Sequence, residues 1–161
     1  MIRLLQGDVG SGKTVVALLS ILISIDNNYQ SCLVAPTEIL AFQHFKNFKD
    51  KFENLGLVVK VLTGSTKSSD RKILLNDLKN GSINLLIGTH AIFEQNVIFN
   101  NLGYAVIDEQ HRFGVKQRSK IWEKNNPPPH VLIMTATPIP RTLTMSLYLS
   151  LIHISEPTRP I

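Results

Sequence analysis

A glycine-rich segment near the start of the chain has the residue types that bind a nucleotide phosphate. Residues 7–14 read Gly-Asp-Val-Gly-Ser-Gly-Lys-Thr and match the pattern G-x-x-x-x-G-K-[ST] in full. Glycines let the backbone curl until several N–H groups point into one concavity, and the following helix N-terminus adds partial positive charge. Lys13 would reach the β- and γ-phosphates, and the Thr14 hydroxyl would bind Mg²⁺. We therefore predict a phosphate-binding loop formed by Gly7, Asp8, Val9, Gly10, Ser11, Gly12, Lys13 and Thr14.

A second candidate group is an acidic pair, Asp108 and Glu109, which follows the apolar run 104–107. A carboxylate at the carboxyl end of a buried strand can hold the Mg²⁺ shell, and this is the role that we predict for Asp108. Glu109 would point elsewhere and act as general base on the attacking water. Since an isolated acidic pair is more often a solvated part of a loop, this prediction depends on the phosphate loop. We expect the two segments to open onto one cleft, where one triphosphate and its metal ion can touch both.

A third candidate is the segment Thr-Ala-Thr-Pro at 135–138, which again follows an apolar run. The hydroxyls of Thr135 and Thr137 could hydrogen-bond the carboxylates of the metal site or sense the γ-phosphate. The same residues would also suit an ordinary exit from a strand into a loop.

Short apolar runs that alternate with longer periodic segments must position these groups. Continuous apolar runs are typical of parallel strands buried on both faces. The helical segments carry start and stop signals, such as Thr37 before the second helix and Gly81 after the third. We predict an α/β fold with a parallel sheet. The predicted strands are 3–6, 32–35, 57–62, 83–87, 104–108 and 131–135, and the predicted helices are 13–25, 37–54, 68–80, 114–125 and one that begins near Pro140.

Composition limits the class of protein. The 161 residues include 17 Lys and Arg against 12 Asp and Glu, a net charge of +5 that permits a polyanionic partner without naming one. The hydrophobic fraction of 43% is too high for a disordered chain. The single cysteine, Cys32, excludes a disulfide framework, and no apolar stretch is long enough to span a bilayer. The first residues do not form a signal peptide, so we expect a soluble protein in a reducing, cytoplasmic setting.

Together, five segments resemble the first RecA-like motor domain of superfamily 2 helicases, and in particular the RecG family of ATP-dependent DNA helicases. The resemblance implies a three-layer RecA-like P-loop fold, with a mainly parallel central sheet flanked by helices, over residues 1–148. It also implies that the strand 131–135 lies between the strand of the phosphate loop and that of Asp108. The segments that carry it are 4–14, 35–41 (Ala-Pro-Thr-Glu-Ile-Leu-Ala), 88–91 (Gly-Thr-His-Ala), 108–115 (Asp-Glu-Gln-His-Arg-Phe-Gly-Val) and 134–143 (Met-Thr-Ala-Thr-Pro-Ile-Pro-Arg-Thr-Leu).

The resemblance also implies roles for further residues. Gln110 and His111 would complete the catalytic, nucleotide-sensing loop, and Thr135 and Thr137 would couple hydrolysis to movement between motor lobes. Small residues and helix N-termini let phosphates approach backbone amides closely, which gives a sequence-independent grip on DNA. Each such residue taken alone would more often be a turn or a cap than a DNA contact. The implied DNA contacts are Pro36, Thr37, Thr63, Gly64, Gly88, Thr89 and His90.

The function that the resemblance implies is ATP-driven unwinding of branched DNA in recombination and repair, with ATP and Mg²⁺ as cofactors. The implied partners are DNA, a second motor lobe and an upstream wedge domain, both outside this chain. Similar motifs occur in the transcription-repair coupling factor, so the motor lobe of such a factor stays open as a second interpretation. A degenerate nucleic-acid-binding P-loop module and a small-molecule kinase also stay open, although no substrate-lid pattern supports the kinase.

The remaining chemistry-bearing residues receive no special role from their spacing. His44, His130 and His153 lack metal-ligand spacing, and we expect Cys32, Trp122 and the phenylalanines of 42–52 to be core packing. Residues 149–161 depart from the family pattern and read like translated sequencing adaptor, so we expect them to be a non-native or disordered tail. For the chain alone we expect nucleotide binding, feeble hydrolysis and no unwinding.

Overall fold

The computed structural model of the chain describes residues 2–6, 13–108 and 115–135. Within these ranges six strands form one sheet, in which every pair of neighbours is parallel. The predicted α/β class with a mainly parallel sheet is confirmed. The strands are β1 Ile2–Gln6, β2 Gln30–Val34, β3 Val59–Leu62, β4 Leu85–Gly88, β5 Leu102–Asp108 and β6 His130–Thr135, in the spatial order β1-β6-β5-β2-β4-β3.

Four helices and one 3₁₀ turn connect these strands. They are α1 Lys13–Asp26, α2 Glu38–Glu53, α3 Ser68–Asn80, the turn His90–Phe93 and α4 Val115–Trp122. All six strands and the first three helices lie within two residues of their predicted bounds. The fourth helix ends at Trp122, earlier than predicted, and turns follow it before Pro127. The predicted helix near Pro140 and the tail lie outside the ranges given above.

The helix ends follow local chemistry, with one exception. The hydroxyl of Thr37 accepts a hydrogen bond from the Leu40 N–H at 3.2 Å and so caps α2, as predicted. Gly81 stops α3 in the left-handed region at φ +88°, where a residue without Cβ is favoured. The exception is the start of α3, where Lys67 occupies the cap position and its side chain makes no capping hydrogen bond.

The core fills both faces of the sheet, because successive residues of a strand point to opposite sides. On β2, Leu33 packs toward α1 and α2, whereas Cys32 packs toward α3 and α4. Cys32 is fully buried, as predicted, and burial raises the pKa of its thiol to about 12. Trp122 packs against the same face. The described residues therefore form three layers, with helices on each side of the sheet.

The phenylalanines of α2 do not all behave as predicted. Phe48 and Phe52 are buried in the core, and each contributes about 1.5–3 kcal/mol by leaving water. Phe42 is 45% exposed, because it follows Ala41 by one residue and so points about 100° around the helix from the buried stripe. Among the described residues, no helix is both long enough and apolar enough to cross a membrane.

Candidate functional site

Three neighbouring strands end at one edge of the sheet, where the nucleotide site is predicted. In the register, Gln6 of β1 pairs with Thr135 of β6, and Met134 of β6 pairs with Asp108 of β5. The central position of β6 confirms the strand order that the resemblance implied. Adjacent strands lie about 4.8 Å apart, so the ends of β1 and β5 are separated by roughly 10 Å. That span suits a triphosphate with its metal ion.

The structure locates only part of the predicted nucleotide site. Thr14 lies exposed in the first turn of α1, which Lys13 opens, and Thr135 ends β6. The loop residues Gly7, Asp8, Val9, Gly10, Ser11 and Gly12 lie outside the described ranges. So do Glu109, Gln110, His111 and Thr137, and their predicted roles stay predictions.

Asp108 is held by a residue that sequence reasoning missed. Its Oδ2 lies 2.9 Å from Nε2 of His44, a residue of α2. The two side chains are only 12% and 14% exposed. An ionised carboxylate can only accept, so the imidazole donates through its Nε2–H. One oxygen of Asp108 is thereby fixed, and no hydrogen bond joins the other to a residue within the described ranges.

The pattern of α2 contained a signal for this contact. Ala41, Phe48 and Phe52 form the buried stripe of the helix, and position 44 falls on that stripe at three- and four-residue steps. A histidine on a buried stripe needs a polar partner. Metal-ligand spacing in the sequence does not indicate this contact, since the partner of His44 is one carboxylate 64 residues away.

The described oxygen donors at this edge fit Mg²⁺. Thr14 offers a hydroxyl and Asp108 a carboxylate, and hard oxygen ligands are those that Mg²⁺ prefers. Across the described ranges there is no cluster of three or more His, Cys, Asp or Glu able to hold a metal. Mg²⁺ does not require one, because it is usually held by one or two protein ligands, water and substrate phosphates.

The other half of the same edge forms a second feature, which we call the rim. Strands β2, β4 and β3 are adjacent, so the segments that follow them lie side by side. The Glu38 side chain ties two of these segments, since its Oε1 accepts from the Ser65 N–H at 3.1 Å. The structure therefore brings together all the predicted DNA contacts, which make up the rim: Pro36, Thr37, Thr63, Gly64, Gly88, Thr89 and His90.

Within the rim, the polar side chains are largely engaged inside the protein. Thr63 and Thr89 are buried. The Thr63 hydroxyl pairs with that of Ser65 at 3.0 Å, and the Thr89 hydroxyl accepts from the Ala91 N–H at 3.5 Å. Gly88 lies so close to the Leu62 carbonyl that a Cβ would overlap it. Thr37, Gly64 and His90 are exposed, so they and the local backbone form the accessible surface.

Comparisons with known proteins agree with this geometry. The chain is 52% identical over 149 residues to the ATP-dependent DNA helicase RecG of Aquifex aeolicus and 54% identical over 148 residues to that of Synechocystis sp.. Each match covers 92% of this chain, and the chain spans about a fifth of each relative. The resemblance to RecG proteins is confirmed.

A solved structure matches as well. The structure of RecG bound to a three-way DNA junction superimposes with a TM-score of 0.77 at 43% identity, over 92% of this chain and 20% of that chain. The family model described as DEAD/DEAH box helicase matches residues 3–146. This chain belongs to the DEAD/DEAH box helicase family.

Proposed function

We propose that the chain is the ATP-binding motor lobe of an ATP-dependent DNA helicase that remodels branched DNA in recombination and repair. The observation that carries the proposal is the common edge of β1, β6 and β5. At this edge β1 is followed by the phosphate-loop motif, and the end of β1 lies about two strand spacings from the end of β5 at Asp108. The RecG names of the relatives support this function over that of a coupling factor.

The proposed reaction is in-line attack of water on the γ-phosphate of ATP. Lys13 and the N–H groups of residues 7–14 would hold the β- and γ-phosphates, and Glu109 would accept a proton from the water. Thr14 and Asp108 would hold Mg²⁺, which neutralises charge on the phosphate oxygens when bound. Gln110 and His111 would complete the nucleotide-sensing loop.

The rim is the proposed DNA surface. Its exposed parts are local backbone, Gly64 and the polar side chains of Thr37 and His90, which suit phosphate contacts that do not depend on base sequence. A RecG structure that bears a three-way DNA junction supports DNA of this shape as the substrate. Thr135 and Thr137 would link the nucleotide state to motion against a second motor lobe, and a wedge domain would engage the branch point.

The lobe alone is expected to bind nucleotide, to hydrolyse it feebly and not to unwind DNA. Arginines supplied from another part of a phosphoryl-transfer enzyme contribute roughly 10³–10⁵ in turnover, and a second lobe would provide them. We place the whole protein in the cytoplasm, a reducing compartment that is consistent with a buried free thiol at Cys32.

The test is hydrolysis of ATP by the full-length protein, with and without a three-way DNA junction. We expect the junction to stimulate hydrolysis and Lys13→Ala to lower the stimulated rate by roughly 10²–10³-fold, the scale for losing one group that stabilises transition-state charge. Lys51→Ala, an exposed lysine in the last turn of α2, is the matched control and should behave as wild type. Full activity of Lys13→Ala would refute the proposal, as would phosphoryl transfer to a small molecule without DNA.

A further inference from the structure

The contact between His44 and Asp108 is a hydrogen bond that joins α2 to the carboxyl end of β5. We propose that His44 is a positioning residue, which fixes the Asp108 carboxylate in the orientation needed to hold the metal–nucleotide complex. This inference rests on the function proposed above. It adds a residue that no motif of the sequence includes.

Asp108 needs such a partner because of its own torsional freedom. The terminal torsion of an aspartate is broad and roughly two-fold, so the backbone of β5 alone does not set the plane of the carboxylate. The bond of 2.9 Å from Nε2 to Oδ2 selects one orientation, in which Oδ1 would be the oxygen that joins the shell of Mg²⁺. Outer-shell partners of this kind typically change metal affinity or activity by 10–100-fold when removed.

His44 is itself held firmly enough to act in this way. Its ring stacks on that of Phe48, with centroids 6.2 Å apart and planes inclined by 16°. Ala41, Phe48 and Phe52 anchor the same face of α2 in the core. The helix therefore presents the imidazole from a rigid support, while Asp108 projects from the end of a strand.

The tautomer agrees with a donating role. Within the described part of the chain, Nδ1 of His44 is buried without a hydrogen-bond partner. An imidazole that donates through Nε2 and carries only a lone pair on Nδ1 leaves no buried N–H unpaired. The opposite tautomer would bury an unpaired N–H at Nδ1 and set two acceptors against each other at 2.9 Å.

The competing explanation is that His44 is a core residue whose ring merely packs on Phe48. Substitutions separate the two roles. His44→Phe keeps the stacked ring and removes the donor. His44→Gln places an amide N–H near the position of Nε2, whereas His44→Asn places it near Nδ1, too short to reach Asp108.

The experiment measures binding of Mn²⁺, used in place of Mg²⁺, to the full-length protein with ADP by electron paramagnetic resonance. We expect His44→Phe and His44→Asn to bind Mn²⁺ about 10–100-fold more weakly, and His44→Gln to recover most of the affinity. His130→Gln is the matched control, because His130 is exposed at the opposite end of β6, and should bind as wild type. Thermal unfolding of each variant reports its folding.

The outcomes are distinct. Wild-type affinity in His44→Phe, or equal affinities for His44→Gln and His44→Asn, would overturn the positioning role. If His44→Phe does not fold, the comparison of the two amides decides the question, since both remove the ring. Failure of wild-type protein to bind Mn²⁺ with ADP would instead count against the proposed function, as would an unchanged affinity in Lys13→Ala.

Discussion

The two halves of one sheet edge use polar groups in opposite ways. At the ends of β1, β6 and β5, a carboxylate projects toward the predicted nucleotide site and a histidine from another element fixes it. At the ends of β2, β4 and β3, Thr63 and Thr89 turn their hydroxyls inward, where other groups of the protein bond them. In the proposed function, the first half binds its ligand through side chains and the second mainly through backbone.

This difference teaches how one scaffold can serve the two proposed kinds of chemistry. Metal and phosphate binding depends on the charge and identity of particular side chains. A grip on DNA phosphates that ignores base sequence depends on shape and on exposed backbone groups. A substitution that changes only the charge of a side chain should therefore damage the nucleotide half most. A substitution that fills the space between two backbone segments should damage the rim most.

The largest expected effect comes from Asp108→Asn. The substitution keeps the size of the side chain but removes its charge, so we expect DNA-stimulated hydrolysis of ATP by the full-length protein to fall by roughly 10²–10³-fold, or about 2.7–4 kcal/mol. Steady-state hydrolysis assays with a three-way junction would measure it. Asp70→Asn, an exposed aspartate in the first turn of α3, is the control and should keep its rate. Equal rates in the two variants would remove the distinction between the halves.

The strands and their common edge were predictable, because runs such as 104–107 are continuous, apolar and short. The sequence pattern could not give the order β1-β6-β5, which came from the family resemblance. Nor could it pair His44 with Asp108, since that contact depends on how α2 packs across the sheet. The inward direction of the Thr63 and Thr89 hydroxyls could not be predicted from the sequence either, because it is set by local turns after each strand.

The next effect in size concerns Gly88, where space rather than charge matters. A Cβ there would overlap the carbonyl oxygen of Leu62 and approach the side chain of Ile92 to 3.1 Å. We expect Gly88→Ala to destabilise the fold by about 1–3 kcal/mol, the usual cost of overpacking. Thermal unfolding of the full-length protein would show it as a lowered midpoint.

Gly64→Ala is the matched control for that substitution. Among the residues that the structure describes, a Cβ at Gly64 would meet only Oε1 of Glu38, at 3.8 Å, which is an ordinary contact. Its thermal midpoint should stay at the wild-type value, while its affinity for junction DNA should fall if phosphates approach this exposed glycine. Equal loss of stability in the two alanine variants would contradict the close approach of β3 and β4 at Gly88.

The smallest expected effect comes from the cap that begins α2. Thr37→Ala removes the acceptor for the Leu40 N–H and should cost about 1 kcal/mol of stability, whereas Thr37→Ser keeps the cap and should cost little. His44 lies seven residues further along the helix, or about 10 Å, beyond the first turn that a lost cap frays. We therefore expect Mn²⁺ affinity with ADP to stay at the wild-type value in Thr37→Ala. An affinity as weak as that of His44→Phe would mean that the rim controls Asp108 through α2, and the two halves of the edge would then act as one site.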